Sequence, residues 1–89
     1  MNPFKSKTAI VKNTTIGKDT KIWEYTNIYG CQIGDGCNIG SYVEIQNEVT
    51  IGNNVTISTH SFICSLVTIE DDVFVHENKA NMKLFKEKA

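Results

Sequence analysis

The sequence predicts an all-β protein whose short strands wind into a parallel β-helix. Two patterns support this prediction. Aliphatic residues recur at every sixth position from Ile10 to Val75, with a single five-residue step between Ile28 and Ile33. A small or β-branched residue stands two positions before each of them from Ile16 onward. Because six is a multiple of neither 3.5 nor 3.6, the pattern excludes a coiled coil and an amphipathic helix, and it favours short units stacked as a solenoid.

The strands and corners follow from the repeat. Three strands would close a triangular coil of about 18 residues, with coils about 4.8 Å apart, so about four coils are expected. Segments such as "IGKDT", "IGDGC" and "IGNNV" follow the inward aliphatic residue, and their Gly, Asn and Asp tolerate the backbone angles of a tight corner. The predicted inward columns, one for each face, are Ile10, Ile28, Ile45 and Ile63; Ile16, Ile33, Ile51 and Ile69; and Ile22, Ile39, Ile57 and Val75.

The chain is predicted to have three segments: an N-terminal lead-in over residues 1–9, the β-helix over residues 10–77 and a tail over residues 78–89. The open strand edges of a β-helix invite further pairing, so a cap is expected at its end. Apolar residues in the tail recur at helical spacing, which predicts a short amphipathic helix covering the last coil. They are Met82, Phe85 and Ala89. The alternative is a disordered tail.

Composition narrows the class of protein. The formal net charge of -1 gives no general attraction to nucleic acid or anionic lipid. No apolar run reaches the ~18 residues of a membrane span or resembles a signal peptide, so a cytoplasmic protein is expected. The cysteines form no C-x-x-C pair, which argues against a disulfide framework and a zinc site. Cys31 and Cys37 are predicted to pack inside the coil, and Cys64 to be partly exposed.

The segment from residue 16 to residue 75 resembles the hexapeptide-repeat acyltransferases. The pieces "TKIW", "CNIG", "IGNNV", "THSFIC" and "VTIEDDVF" are most similar to nucleotide-sugar 3-N-acetyltransferases of bacterial surface-polysaccharide synthesis. The resemblance implies a left-handed β-helix and a homotrimer with its sites between subunits. It also implies acetyl-CoA as co-substrate, a nucleotide-linked amino sugar as acceptor, and direct transfer without a metal.

The sequence departs from these relatives at two places. Ser65 and Leu66 stand where the relatives tend to have Glu-Gly, and the repeat stops after "DDVF" where the relatives continue with further coils. Part of their acetyl-CoA contacts comes from those coils. We therefore expect a C-terminally truncated member of the family.

The predicted site lies at one corner of the triangle. The residue three positions after each inward aliphatic of the third face should point outward, which places His60 above Tyr42 and both above Tyr25, with Glu77 one coil higher. Acetyl transfer to an amine needs a proton acceptor and donors for the oxyanion, and an imidazole exchanges protons near neutral pH. The hypothesis is that His60 is the general base and that Tyr42 and Glu77 bind substrate, with backbone N–H groups at the glycine-rich corners as oxyanion donors.

Other interpretations stay open. His60 can instead be an ordinary exposed corner residue of a noncatalytic β-helical scaffold or oligomerisation module. Trp23 and Tyr25 fit either a sugar or adenine contact or a subunit interface. His76 is expected at the surface, and the acidic run Glu70 to Asp72 is expected to form a solvated corner. A γ-class carbonic anhydrase needs three zinc histidines, and the sequence offers two.

Overall fold

The computed structural model describes residues 1–76 and 84–85, and every regular element in them is a β-strand. The strands are short because each ends at a corner after two or three residues. In chain order they are β1 (Phe4–Lys5), β2 (Ile10–Lys12), β3 (Thr15–Ile16), β4 (Lys21–Ile22), β5 (Asn27–Tyr29), β6 (Gln32–Ile33), β7 (Asn38–Ile39), β8 (Glu44–Ile45), β9 (Thr50–Ile51), β10 (Thr56–Ile57), β11 (Phe62–Ile63), β12 (Thr68–Ile69), β13 (Phe74–Val75) and β14 (Leu84–Phe85).

The strands form three parallel sheets, and every third strand returns to the same sheet. Sheet A has the order β1-β4-β7-β10-β13, sheet B has β2-β5-β8-β11, and sheet C has β3-β6-β9-β12-β14. Ile22 pairs with Ile39 and Ile39 with Ile57, so one coil takes 17 residues and the next takes 18. The backbone is therefore a three-sided parallel β-helix of about four turns, which confirms the predicted fold class.

The core consists of the inward aliphatic residue of each strand and the small residue two positions before it. Where that small residue is polar, its hydroxyl donates to a nearby carbonyl oxygen. Thr20 bonds to Gly34, Thr26 to Gly40 and Ser61 to Ser58, each at 2.7 Å. The fully buried apolar residues of the core include Ile22, Ile28, Ile39, Ile45, Ile57, Ile63, Ile69, Val43, Val49, Val55, Val67 and Val73. Each buried isoleucine contributes roughly 1.5 to 3 kcal/mol.

The first residue of the predicted sheet B column is wrong by one position. Ile10 is 46% exposed and pairs with Asn27, whereas Val11 pairs with Ile28 and packs against the core. The reason is a second five-residue step, from Val11 to Ile16, which matches the step after Ile28. Ile10 and Val11 are both aliphatic, so the sequence allowed either residue to point inward. The five-residue step to Ile16 places Val11 inward.

The two ends of the described chain also carry strands. Phe4–Lys5, inside the predicted lead-in, pairs with β4 and begins sheet A. Leu84–Phe85 pairs with β12 in sheet C, so the predicted helix is wrong at these two residues. The open edge of β12 offers backbone hydrogen-bonding groups that another strand can satisfy and a helix cannot. The rest of that predicted helix lies outside the described residues.

The cysteines have the predicted burial. Cys31 and Cys37 are buried, Cys64 is half-buried, and all three are free thiols. Burial raises the pKa of the Cys31 and Cys37 thiols, so both are held in the unreactive protonated form. Over residues 1–76 and 84–85, the fold includes no helix with the length and apolar character needed to cross a membrane.

Candidate functional site at an aromatic corner

From β2 to β13, each corner of the β-helix contains one residue with positive φ, and these residues stack in three columns. Corner AB, which leads from sheet A to sheet B, carries Tyr25, Tyr42 and His60, with φ of 58°, 58° and 64°. This conformation is uncommon for residues with a side chain, so the surrounding backbone must hold it. It is held by hydrogen bonds between coils. The amide of His60 donates to the carbonyl oxygen of Ser41 at 3.0 Å, and the amide of Tyr42 donates to that of Glu24 at 3.0 Å.

The side chains of corner AB form an exposed aromatic column. The ring centroids of Tyr25 and Tyr42 are 5.3 Å apart with planes at 21°, and those of Tyr42 and His60 are 5.0 Å apart with planes at 6°. The predicted stack of His60 on Tyr42 is confirmed. These separations are close to the rise of about 4.8 Å per coil, so each coil adds one ring and the ring edges face outward.

The stack orients the imidazole without occupying its nitrogens. Within the described part of the chain, no residue forms a hydrogen bond to a ring nitrogen of His60, and the side chain is exposed. A ligand beside corner AB can therefore meet the nitrogen-bearing edge of the ring. Glu77, predicted one coil higher, lies outside the described residues, and its role stays a prediction.

The corner glycines do not provide the expected oxyanion donors. Each of the six glycine amides already donates to a carbonyl oxygen of a neighbouring coil, at 2.9 Å or, for Gly52, at 2.8 Å. In a parallel β-helix the backbone amides of strand ends and corners bind the adjacent coil, so they point along the stack rather than towards a ligand. The expectation of oxyanion donors is therefore wrong for the glycine amides.

Trp23 and His76 lie on the outer face of sheet A, beside corner AB. The indole Nε1 of Trp23 donates to Oδ1 of Asn38 at 2.8 Å, and its ring packs against Phe4 at a centroid distance of 5.3 Å. His76 packs edge-on against Phe74, with ring centroids 4.2 Å apart. Sequence reasoning missed Phe4, Asn38 and Phe74. The alternation of outward residues along each strand, together with the coil length, was the signal that could have found them.

Corner CA, which leads from sheet C to sheet A, uses its polar side chains structurally. Oδ1 of Asp71 accepts from the amide of Asn53 at 2.8 Å, Oδ1 of Asn53 accepts from the amide of Asp35 at 2.8 Å, and Oδ1 of Asp35 accepts from the amide of Lys18 at 3.0 Å. The acidic run from Glu70 to Asp72 is exposed at this corner. Among the residues described, no cluster of three or more His, Cys, Asp or Glu side chains could hold a metal ion.

The repeat that forms this geometry matches a known protein family. The sequence profile described as "Bacterial transferase hexapeptide (six repeats)" matches residues 13–47 and 30–65, which together cover more than half of the 89-residue chain. The chain belongs to the bacterial transferase hexapeptide family. Comparison with curated proteins gives no match. The hexapeptide repeat and the left-handed β-helix implied by the resemblance are thereby supported, and the matched region of this hexapeptide protein contains the whole Tyr25, Tyr42 and His60 column.

Proposed function

We propose that this hexapeptide protein is an acetyltransferase that uses acetyl-CoA to acetylate an amino group of a nucleotide-linked amino sugar, with His60 as the general base. The observation that carries the proposal is the parallel stack of His60 on Tyr42, 5.0 Å apart at an exposed corner of a hexapeptide transferase fold. The stack fixes the plane of the imidazole and leaves its edge open to an acceptor amine.

The chemistry needs one proton acceptor and no covalent intermediate. The amine nitrogen of the sugar attacks the thioester carbonyl carbon, a C–N bond forms, and the C–S bond then breaks with its electron pair leaving on sulfur. His60 takes the proton lost by the amine, and that proton ends on the departing thiolate, giving an amide and free coenzyme A.

The remaining roles follow from position. The Tyr42 phenol stands one coil below His60 in the same column and supplies an O–H donor to the substrate. Glu77 keeps the substrate-binding role expected from the sequence repeat. The subunits form a homotrimer, as is common for hexapeptide-repeat β-helices. The core of a single chain this small is thin, which favours such association.

A transfer assay with matched variants tests the proposal. The purified chain is mixed with acetyl-CoA and a uridine-diphosphate amino sugar, and the acetylated sugar is measured by mass spectrometry. His60→Asn should lower the rate by about 10²- to 10⁴-fold, because it removes the base. Asparagine tolerates the positive φ of this position, so the corner should be kept.

Leu66→Asn is the matched control, because Leu66 is an exposed corner residue with φ of 70° in a different column. It should leave the rate unchanged. A His60→Asn protein that transfers acetyl groups at the original rate would remove His60 from the mechanism. A folded trimer that shows no turnover with any amino-sugar acceptor would instead favour the noncatalytic scaffold.

A further inference from the structure

The outer face of sheet A has aromatic side chains at both ends, with Lys21 in the same coil as Trp23 and small residues in the two middle coils. Phe4 and Trp23 form a lower wall, and Phe74 and His76 form an upper wall. We call this face, with both walls and the residues between them, the saddle. Because Ile22, Ile39, Ile57 and Val75 are in register across sheet A, Trp23 and His76 lie three coils apart, or about 14 Å along the stack.

Small polar residues form the floor of the saddle. The outward positions of the two middle coils are Asn38, Gly40, Thr56 and Ser58. Gly40 cannot carry a side chain without displacing backbone, since a Cβ there would lie 2.8 Å from the amide nitrogen of Thr59 and 3.0 Å from the carbonyl oxygen of Ile57. The floor is therefore kept low directly above the Trp23 position.

The lower wall presents a fixed and partly exposed indole. Trp23 is 36% exposed, and its hydrogen bond to Asn38 at 2.8 Å holds the ring in place. Because Asn38 accepts through Oδ1, its amide nitrogen still carries two donor hydrogens. A fixed aromatic ring beside a few polar groups can contact the C–H face of a sugar ring and hydrogen-bond its hydroxyl groups at the same time.

Sheet C provides a contrast. Its outward positions alternate in the same way, but they carry Thr15, Gln32, Thr50 and Thr68 beside Gly17, Gly34 and Gly52. That face has polar residues and glycines without aromatic walls in its described coils. The combination of walls and floor therefore distinguishes sheet A.

We propose that the saddle binds the pyranose ring of the acceptor amino sugar, with Trp23 as the stacking platform and Asn38 and Thr56 as hydrogen-bonding groups. The proposal rests on the proposed transferase function and assigns its acceptor subsite. Ser58 precedes His60 by two residues, so the floor runs directly into corner AB. A sugar seated on the floor would therefore lie beside the corner that carries the imidazole.

The single tryptophan of the chain is a built-in probe of this site. Titration with uridine-diphosphate glucosamine should change the Trp23 fluorescence saturably, and uridine diphosphate alone, at matched absorbance, should not. Thr56→Leu, which raises the floor, should weaken this binding by about tenfold or more. Thr68→Leu is the matched control on sheet C and should bind as the original chain does.

The outcomes separate this proposal from the transferase assignment. His60→Asn should still give the saturable fluorescence change, because it removes the base and leaves the saddle. Acetyl transfer that proceeds with unchanged Trp23 fluorescence at saturating sugar, or with equal binding by Thr56→Leu and Thr68→Leu, would overturn the saddle and leave the transferase standing. Saturable binding without transfer would support the saddle as a sugar site and count against the transferase.

Discussion

Corners AB and CA have the same backbone but use their side chains in opposite ways. In both, a residue with positive φ donates its amide to the coil below: His60 to Ser41 at 3.0 Å in corner AB, and Asn54 to Asp35 at 2.8 Å in corner CA. In corner CA the neighbouring side chains turn back and bind backbone amides. In corner AB the rings stack on one another and leave their edges exposed. Backbone hydrogen bonds between coils therefore hold both corners, and the side chains determine which corner can contact a ligand.

The glycines next to corner CA show what its ladder of side chains requires. An added Cβ at Gly17, Gly34 or Gly52 would collide with Oδ1 of Asp35, Asn53 or Asp71, respectively. The equivalent positions before corner AB carry the side chains of Trp23 and Ser58, and the glycine between them, Gly40, is limited by backbone atoms and not by a ladder side chain. The ladder of corner CA therefore excludes side chains at Gly17, Gly34 and Gly52, whereas corner AB admits them at Trp23 and Ser58.

Among the variants that test this difference between the corners, Gly34→Ala should lower the stability most. The new Cβ would lie 2.6 Å from the carbonyl oxygen of Gly52 and would also meet Oδ1 of Asn53, so both the ladder and the rigid backbone of the next coil must move. We expect the free energy of unfolding to fall by about 3 kcal/mol, measured by urea denaturation.

Gly30→Ala is the control for this change, because Gly30 has a positive φ but an added Cβ would come no closer than 3.5 Å to Asn47. Its left-handed backbone penalty is partly offset by the lower entropy of the unfolded chain, so the loss should be at most about 1 kcal/mol. Equal losses in the two variants would show that the ladder of corner CA does not exclude side chains.

A smaller effect is expected when the ladder itself is cut. Asn53→Ala removes the acceptor for the Asp35 amide, which should lower the free energy of unfolding by about 1 kcal/mol. Thr59→Ala changes the corresponding position of corner AB and should cost less than about 0.5 kcal/mol, because it cuts no ladder. If the two variants lose the same stability in parallel urea titrations, the structural role assigned to corner CA is wrong.

The difference between the corners also explains what could be predicted from the sequence. The inward columns were predictable because burial alternates locally along each strand, and the stack of His60 on Tyr42 followed from the coil length. The inward position of Val11 in place of Ile10 was not predictable, because both residues are aliphatic and one fits a five-residue step while the other fits a six-residue step. The bond between Trp23 and Asn38 depends on the direction of a side chain across two coils, which the repeat alone does not determine.

The smallest effect should appear at alkaline pH, in the residues beneath the corners. Cys31 and Cys37 point into the coil, where Sγ of Cys31 donates to the carbonyl oxygen of Gln46 at 3.0 Å and Sγ of Cys37 to that of Gly52 at 3.1 Å. Neither lies beneath corner AB, where the inward residues are Thr26, Val43 and Ser61. Any stability that is lost because these thiols ionise is therefore lost at the other two corners and not at corner AB.

The sign of the effect follows from the raised thiol pKa values. Burial raises the pKa of Cys31 and Cys37 above the ordinary 9.0, so as pH increases the unfolded chain loses these protons first and stability falls. The double variant Cys31→Val and Cys37→Val, which copies Val49 and Val55 one coil above, should lose less stability between neutral pH and about pH 10 in urea denaturation. For each protein the loss is measured relative to its own stability at neutral pH, where the thiols of the original chain are protonated in both the folded and the unfolded state. Equal alkaline losses in the two proteins would mean that the buried thiols do not carry the pH dependence.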